Sequence, residues 1–124
     1  MILVDTCVWV DHLSRGNAPL FELLNKGLVA CHPFVIGELA CGHLRRRQET
    51  LGLLAALPEV RVAEHEEILA LVDRHRLFGR GLGWIDVHLL GGALLSSCAL
   101  WTTDRTLGEA ARSLHIAADI ARPH

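Results

Sequence analysis

Short apolar runs alternate with longer helical segments along the whole chain, and this alternation restricts the fold more than any other feature of the sequence. Runs typical of buried strands occupy residues 2–5, 28–31, 60–62 and 99–103, and the pattern allows a last one at 116–120. Helical segments lie between them, at residues 7–13, 19–26, 33–42, 47–57, 64–78, 84–97 and 105–114, with Thr6 expected to cap the first. Such alternation is typical of a mostly parallel sheet covered by helices on both faces. The sequence therefore predicts an α/β fold, a three-layer α/β/α sandwich whose site lies at the carboxyl ends of the strands.

The length of the chain, 124 residues, suits one domain over residues 1–124. No apolar stretch reaches the ~18 residues that a membrane helix needs. The longest, residues 89–101, is interrupted by glycine and serine. The first residues lack the basic region and cleavage site of a secretory signal. We therefore expect a single-domain cytoplasmic protein.

Four of the 14 acidic residues are surrounded in sequence by apolar residues. Asp5 and Asp104 follow two of the predicted strands, and Glu38 and Asp86 lie within predicted helices that could border the same edge of the sheet. A carboxylate near a core is costly unless it is paired or bound to metal, because its charge loses hydration. Each also has a structural interpretation: Asp5 and Asp104 could cap helices, and Glu38 and Asp86 could face solvent.

Converging carboxylates would repel one another unless cations neutralised them. Oxygen ligands without histidine or cysteine favour Mg²⁺ or Mn²⁺ over zinc. Such ions can activate water and stabilise the leaving oxygen of a phosphodiester. The four acids therefore indicate metal-assisted phosphodiester hydrolysis. Asp11 and Asp119 also lie in apolar stretches, but we interpret them as helix-surface and strand-edge residues.

The net charge of −2 gives no direct sign of nucleic-acid binding. If metal neutralises four acids, however, 10 acidic residues remain against 12 lysine and arginine residues. The basic residues then available for phosphate contacts are chiefly Arg45, Arg46 and Arg47, with Arg74, Arg76 and Arg80. The alternative is that these arginines are simply solvated helix faces.

Neither the cysteines nor the histidines have the spacing of a zinc site. Cys7, Cys31, Cys41 and Cys98 form no C-x-x-C pair, and we expect buried, reduced thiols. The eight histidines show no paired spacing on a helix. His88, close to Asp86, is the one that stands near a candidate ligand, and a structural or surface role is expected for it.

The four acids lie in four short blocks of sequence that occur in a fixed order over almost the whole chain. The blocks are LVDT at 3–6 with Trp9 and DHL at 11–13, GELACG at 37–42, GLGWIDVHLL at 81–90, and LWTTDRTL at 100–107. Together they resemble the PIN-domain family and, within it, the VapC-type toxins of bacterial toxin-antitoxin pairs.

This resemblance implies roles for particular residues. Asp5, Glu38, Asp86 and Asp104 would coordinate Mg²⁺ or Mn²⁺, and Thr6 and Thr102 would support them. It also implies cleavage of structured RNA such as a tRNA or rRNA loop without a protein nucleophile, homodimerisation, and inhibition by a VapB-like antitoxin. Cys7 stands where the family commonly has serine.

Two other functions remain open at the level of sequence. An Asp-dependent phosphatase also has an aspartate after its first strand, but it needs a second aspartate two residues later and a lysine. Here residue 7 is cysteine, and Lys26 is the one lysine in the chain. A metal-stabilised binding module without catalytic activity is the other alternative, and it predicts that metal raises thermal stability while RNA stays intact.

Overall fold

The computed structural model describes residues 1–120, so the last four residues of the predicted domain lie outside the described residues. Three parallel strands form one sheet: β1 (Ile2–Val4), β2 (Val29–Ala30) and β3 (Ala99–Trp101), in the order β2-β1-β3. Within this part of the chain there are seven helices: α1 (Thr6–Arg15), α2 (Ala18–Asn25), α3 (Pro33–Ala40), α4 (Arg47–Ala55), α5 (His65–Arg74), α6 (Trp84–Leu95) and α7 (Arg105–Ser113). The predicted three-layer α/β fold with a parallel sheet is confirmed.

The central strand of the sheet is β1. Leu3 and Val4 are completely buried, and β1 pairs with a parallel strand on each side. Helix α3 packs against α1 and α4, whereas α6 packs on β3 and on α5. The register pairs Val4 with Trp101, so the chain leaves β1 and β3 at the same edge.

Two of the predicted strands are wrong. Residues 60–62 form no strand, and a single parallel bridge joins Glu59 to Cys31. Residues 116–120 likewise contribute one bridge, between Ala117 and Leu100. The first pairing stops early because β2 ends at Ala30 and α3 begins three residues later, at Pro33. Apolar alternation alone does not make a strand where no neighbouring backbone continues the ladder.

The first helix begins one residue earlier than predicted. Asp5, not Thr6, is its N-cap, and the Asp5 carboxylate accepts from the Thr6 backbone N–H at 2.7 Å. An aspartate in extended conformation is among the best N-caps because its oxygen satisfies an otherwise free N–H. Asp104 does the same for α7, accepting from the Leu107 N–H at 3.2 Å. Both acids therefore hold a helix start at the edge where their strands end.

All four cysteines are free thiols, but they are not all buried. Cys31 and Cys98 are buried, Cys7 is partly buried and Cys41 is exposed. Burial raises the pKa of the Cys31 thiol to about 11. No helix in residues 1–120 has the length and apolar character needed to cross a membrane.

Helix α6 is the most buried helix, with every residue from 87 to 93 buried. Its close packing depends on Gly92, because a Cβ there would lie 3.1 Å from both His32 Cδ2 and Val60 Cγ2. We expect Gly92→Leu to lower the free energy of unfolding by about 1–3 kcal/mol, since the added carbons must displace these neighbours. Chemical denaturation measures the change.

Gly52 offers a matched control for this substitution. It lies in α4 with open space around its Cα, so Gly52→Leu should be neutral or stabilising by up to about 1 kcal/mol. Equal effects at the two positions would contradict the packing argument.

Candidate active site

Asp5 is the buried centre of the candidate site, with 8% of its surface exposed. One carboxylate oxygen accepts from the Thr6 N–H, and the other accepts from Thr102 Oγ1 at 2.7 Å. The Cys7 thiol donates to this second oxygen at 3.4 Å. These contacts compensate for lost hydration and fix the carboxylate in one orientation.

Thr102 joins Asp5 to Asp104. Strands β1 and β3 are adjacent and parallel, and the Asp5 N–H donates to Trp101 O at 2.9 Å, so the residues that follow them meet. Besides donating to Asp5, the Thr102 hydroxyl accepts from the Asp104 N–H at 3.0 Å. One hydroxyl thus holds both strand ends together.

Glu38 comes to the same edge from α3. Thr6 Oγ1, at the start of α1, donates to Glu38 Oε1 at 2.7 Å. Since Thr6 directly follows Asp5, this bond links the glutamate to the centre of the site across 32 residues of sequence.

Asp86 reaches the site from the first turn of α6, where it accepts from the Gly83 N–H at 2.8 Å. Burial raises the pKa of Asp86, and the negative charges of Asp5 and Asp104 raise it further, while the Gly83 N–H opposes them. Asp86 therefore lies within the electric field of two other carboxylates. The six residues that the sequence indicated are brought together: Asp5, Thr6, Glu38, Asp86, Thr102 and Asp104.

Two of the four acids are not near the core, contrary to the sequence-based expectation. Glu38 and Asp104 are exposed, and Asp86 is half-buried. The apolar neighbours of Glu38 lie on other faces of α3, where Val35 and Leu39 are buried. Neighbours in sequence point in different directions on a helix, so they do not report the surroundings of the glutamate.

The donor set fits a hard divalent cation, because it consists of carboxylate oxygens whose mutual repulsion a cation relieves. Within residues 1–120, however, no three His, Cys, Asp or Glu side chains lie close enough to hold an ion together. The threonine hydroxyls and backbone N–H groups described above occupy oxygens of all four acids.

Sequence reasoning underestimated Cys7. Its sulfur lies 3.4 Å from Asp5 Oδ2 and accepts from Thr103 Oγ1 at 3.1 Å, so it packs between the ends of β1 and β3. Its position two residues after Asp5, in the first turn of a helix that starts at the site, is the signal that could have identified it.

The arginines chosen from sequence lie elsewhere. Arg45, Arg46 and Arg47 are exposed; the first two lie in the turn before α4, and Arg47 begins the helix. Arg45 and Arg46 border a groove lined by Val10 and Leu53, and none of the four acids lines this groove. Their contribution to phosphate binding stays a prediction.

Three further residues considered in the sequence lie in positions that suggest no part in the candidate site. Asp11 lies on α1, where it pairs with Arg15 and accepts from Asn17 at 3.1 Å. Asp119 is exposed and outside any strand, so its assignment to a strand edge is wrong. His88 is buried, with its ring 4.8 Å from Phe34 and 4.9 Å from Trp84, which agrees with a structural role.

His32 makes the stability depend on pH. Its ring is completely buried, its Nδ1 accepts from the Phe34 N–H at 3.0 Å, and burial, followed by the charge of His88, lowers its pKa to about 4. Between pH 6.5 and about 4 the unfolded chain binds a proton here that the folded chain does not. We therefore expect the free energy of unfolding to fall as pH decreases through this window, by up to about 3 kcal/mol.

The measurement is the free energy of unfolding as a function of pH, for the parent protein and for His32→Asn. Asparagine can still cap α3 but does not titrate, so its curve should be flatter between pH 4 and 6.5. All other titrating groups are shared and cancel in the difference. Parallel curves would contradict the assignment.

Comparison with known proteins agrees with this geometry. The sequence pattern of the PIN domain matches residues 2–113. The chain therefore belongs to the PIN-domain family. It is also similar to the protein named Ribonuclease VapC32 of Mycobacterium tuberculosis, in strain CDC 1551 / Oshkosh and in strain ATCC 25618 / H37Rv. In both cases the identity is 51% over 108 residues, which cover 86% of this chain and 87% of the relative. The resemblance to VapC-type members of the family is confirmed.

Proposed function

We propose that this protein is a metal-dependent endoribonuclease, the toxin of a VapC-type toxin-antitoxin pair, that hydrolyses phosphodiester bonds in structured RNA. The observation that carries the proposal is the convergence of carboxylates at one sheet edge, where Thr102 joins Asp5 to Asp104 and Thr6, next to Asp5, binds Glu38. The relative named as a ribonuclease over most of the chain supports it.

In this proposal Asp5, Glu38, Asp86 and Asp104 hold Mg²⁺ or Mn²⁺. Such an ion supplies a Lewis acid that activates water and neutralises the leaving oxygen. The chain itself orients the carboxylates, and it does so mainly through the two threonines: Thr102 holds Asp5, and Thr6 holds Glu38. Partners of this kind commonly contribute 10- to 100-fold to metal affinity or activity.

The same proposal includes partners and location. The substrate is a loop of tRNA or rRNA, recognised by shape rather than by a residue code. A VapB-like antitoxin would cover the site, and the toxin would act as a homodimer in the cytoplasm, as a single domain spanning residues 1–124.

Incubation of the purified protein with total cellular RNA tests the proposal. Fragments should form with Mg²⁺ or Mn²⁺ and not with EDTA, and mapping their ends would identify the target. Thermal unfolding with and without metal is measured in parallel. A metal-induced rise in the unfolding temperature with intact RNA would instead support the non-catalytic binding module. Release of phosphate from small phosphomonoesters without RNA cleavage would support the phosphatase.

We also predict that Arg45, Arg46 and Arg47 contact RNA phosphates. Replacing all three with glutamine should weaken RNA binding and reduce the slope of log affinity against log salt by about 2, since each lost contact to single-stranded RNA removes about 0.7. Fluorescence anisotropy at several salt concentrations measures the slope. An unchanged slope would leave these side chains as solvated surface.

A further inference from the structure

A cleft of about 790 Å³ opens directly beside the candidate active site. Thr102 and Asp104, at the end of β3, form part of its wall, and the cleft extends from them along α7. This volume is in the range of sites that bind small molecules or parts of larger ones, about 300–1,000 Å³. A substrate held at the four acids therefore has room to continue along this side of the molecule.

Three arginines line the cleft, and they differ in how far they are already paired. Arg15 pairs with Asp11, and Arg105 donates to Glu109 at 3.2 Å. Arg112 has no carboxylate within 4 Å among residues 1–120. Its guanidinium therefore keeps its hydrogen-bond donors available for a ligand.

Gly108 brings Arg112 close to the active-site end of the cleft. A Cβ on Gly108 would lie 3.5 Å from Arg112 Nη1 and 3.8 Å from Thr102 Cγ2. The guanidinium thus extends back over the glycine, toward the threonine that holds Asp5. Because residue 108 has no side chain, this stretch of α7 is open between the arginine and the acids.

Two of the three acids that line the cleft are already paired or belong to the candidate metal site. Asp11 is neutralised by Arg15 and accepts a hydrogen bond from Asn17, and Asp104 is one of the four acids assigned to the metal. Asp119 is exposed among the residues after α7 and has no arginine partner among residues 1–120. Next to Gly108, the charged side chain that faces the cleft is that of Arg112.

We propose that this cleft binds the RNA backbone, with Arg112 contacting a phosphate next to the one that is cleaved. The inference rests on the proposed ribonuclease function and assigns its substrate path. Guanidinium groups suit this contact because two parallel N–H groups can bind two phosphate oxygens at once. Arg105, on the same face of α7 two turns earlier, lies along the same path.

The test measures the binding of a short fluorescein-labelled oligouridylate to Asp5→Asn protein, which should not cleave it, in Mg²⁺ at about 50 to 200 mM salt. Arg112→Gln in this background should weaken binding several-fold and reduce the slope of log affinity against log salt by about 0.7. Lys26→Gln is the matched control, because Lys26 is exposed and precedes β2, at the opposite end of the sheet from the acids. It should leave the slope unchanged.

Gly108→Leu tests the same cleft without changing charge. Leucine suits a helix better than glycine, and its Cβ would meet only ordinary contact distances, so the fold should be retained. The added side chain should nevertheless obstruct the path and weaken binding. Thermal unfolding of each variant checks that the protein remains folded.

The outcomes separate the two proposals. Suppose that the Asp5→Asn protein binds the oligonucleotide and that adding Arg112→Gln or Gly108→Leu changes neither the affinity nor the salt slope. The cleft assignment is then overturned, and the ribonuclease proposal stands. If the Asp5→Asn protein does not bind the oligonucleotide and the unsubstituted protein does not cleave cellular RNA, both proposals are overturned. Weakened binding in both cleft variants, and not in Lys26→Gln, supports the assignment.

Discussion

Asp5→Asn is expected to lower metal-dependent RNA cleavage by more than about 100-fold while leaving the protein folded. Loss of a residue that only supports a metal ligand commonly costs 10- to 100-fold, and Asp5 is placed to be a ligand itself. Asparagine lacks the negative charge, and only one of its two polar atoms can accept. It therefore cannot accept from both the Thr6 N–H and the Thr102 hydroxyl as Asp5 does.

The fold should tolerate this change for two reasons. Asparagine is as good an N-cap as aspartate, so α1 still has a cap. The substitution also removes one of the charges that raise the pKa of Asp86, which relieves repulsion. The unfolding temperature should consequently change little, because the relieved repulsion offsets the lost hydrogen bond.

Cleavage of cellular RNA and thermal unfolding are measured side by side, with Asp73→Asn as the control. Asp73 is an exposed acid in the last turn of α5, so the chemical change is the same away from the site. Full activity in Asp5→Asn would remove Asp5 from the proposed ligands. A loss of activity that accompanies unfolding would show only that the residue is structural.

Leu3→Ala is expected to lower the free energy of unfolding by about 2–5 kcal/mol. Leu3 is completely buried in the central strand and pairs with Ala30 of β2 and Leu100 of β3. Alanine would leave a cavity that strands on both sides cannot easily close. Domains of this kind are usually stable by only about 5–15 kcal/mol, so this one substitution removes a large fraction.

Chemical denaturation measures this effect, and Leu53→Ala is the control. Leu53 is 66% exposed on α4, and its replacement should change the free energy by no more than about 0.5 kcal/mol. A small effect at Leu3 would mean that the strands of the sheet can shift to fill the space. Because Asp5 follows β1 by one residue, we also expect Leu3→Ala to reduce activity at temperatures where the sheet begins to open.

The three strands that form the sheet could be predicted from the sequence, whereas the two strands predicted at its periphery did not form. β1, β2 and β3 are short apolar runs whose backbones pair along their length, so the local pattern and the tertiary pairing agree. Residues 60–62 and 116–120 have similar patterns but form no strand: Glu59, just before the first segment, bridges to Cys31, and Ala117 in the second bridges to Leu100. Whether a segment pairs as a strand depends on which backbone lies alongside it in the folded protein, and the segment's own residues do not determine that.

The arginines show that the sequence alone also predicts functional positions incompletely. Arg45, Arg46 and Arg47 stand out because they are consecutive, yet they lie at the start of α4, where the first two border a groove that none of the four acids lines. Arg112 is inconspicuous in the sequence, and it becomes a candidate because Gly108 and Thr102 lie next to it in space. Arginines that are neighbours in the sequence are therefore not necessarily the ones that lie near the acids in the folded protein.

The sequence by itself determined the alternation of strands and helices, the α/β fold and the choice of four acids, because each depends on short patterns of polarity and on residue type. It could not determine which of these acids are buried, since neighbours along a helix point in different directions. Only the tertiary structure placed Thr6 against Glu38 and Thr102 between Asp5 and Asp104. These contacts join residues 32 and 97 positions apart, and they form because two parallel strands end at the same edge of one sheet.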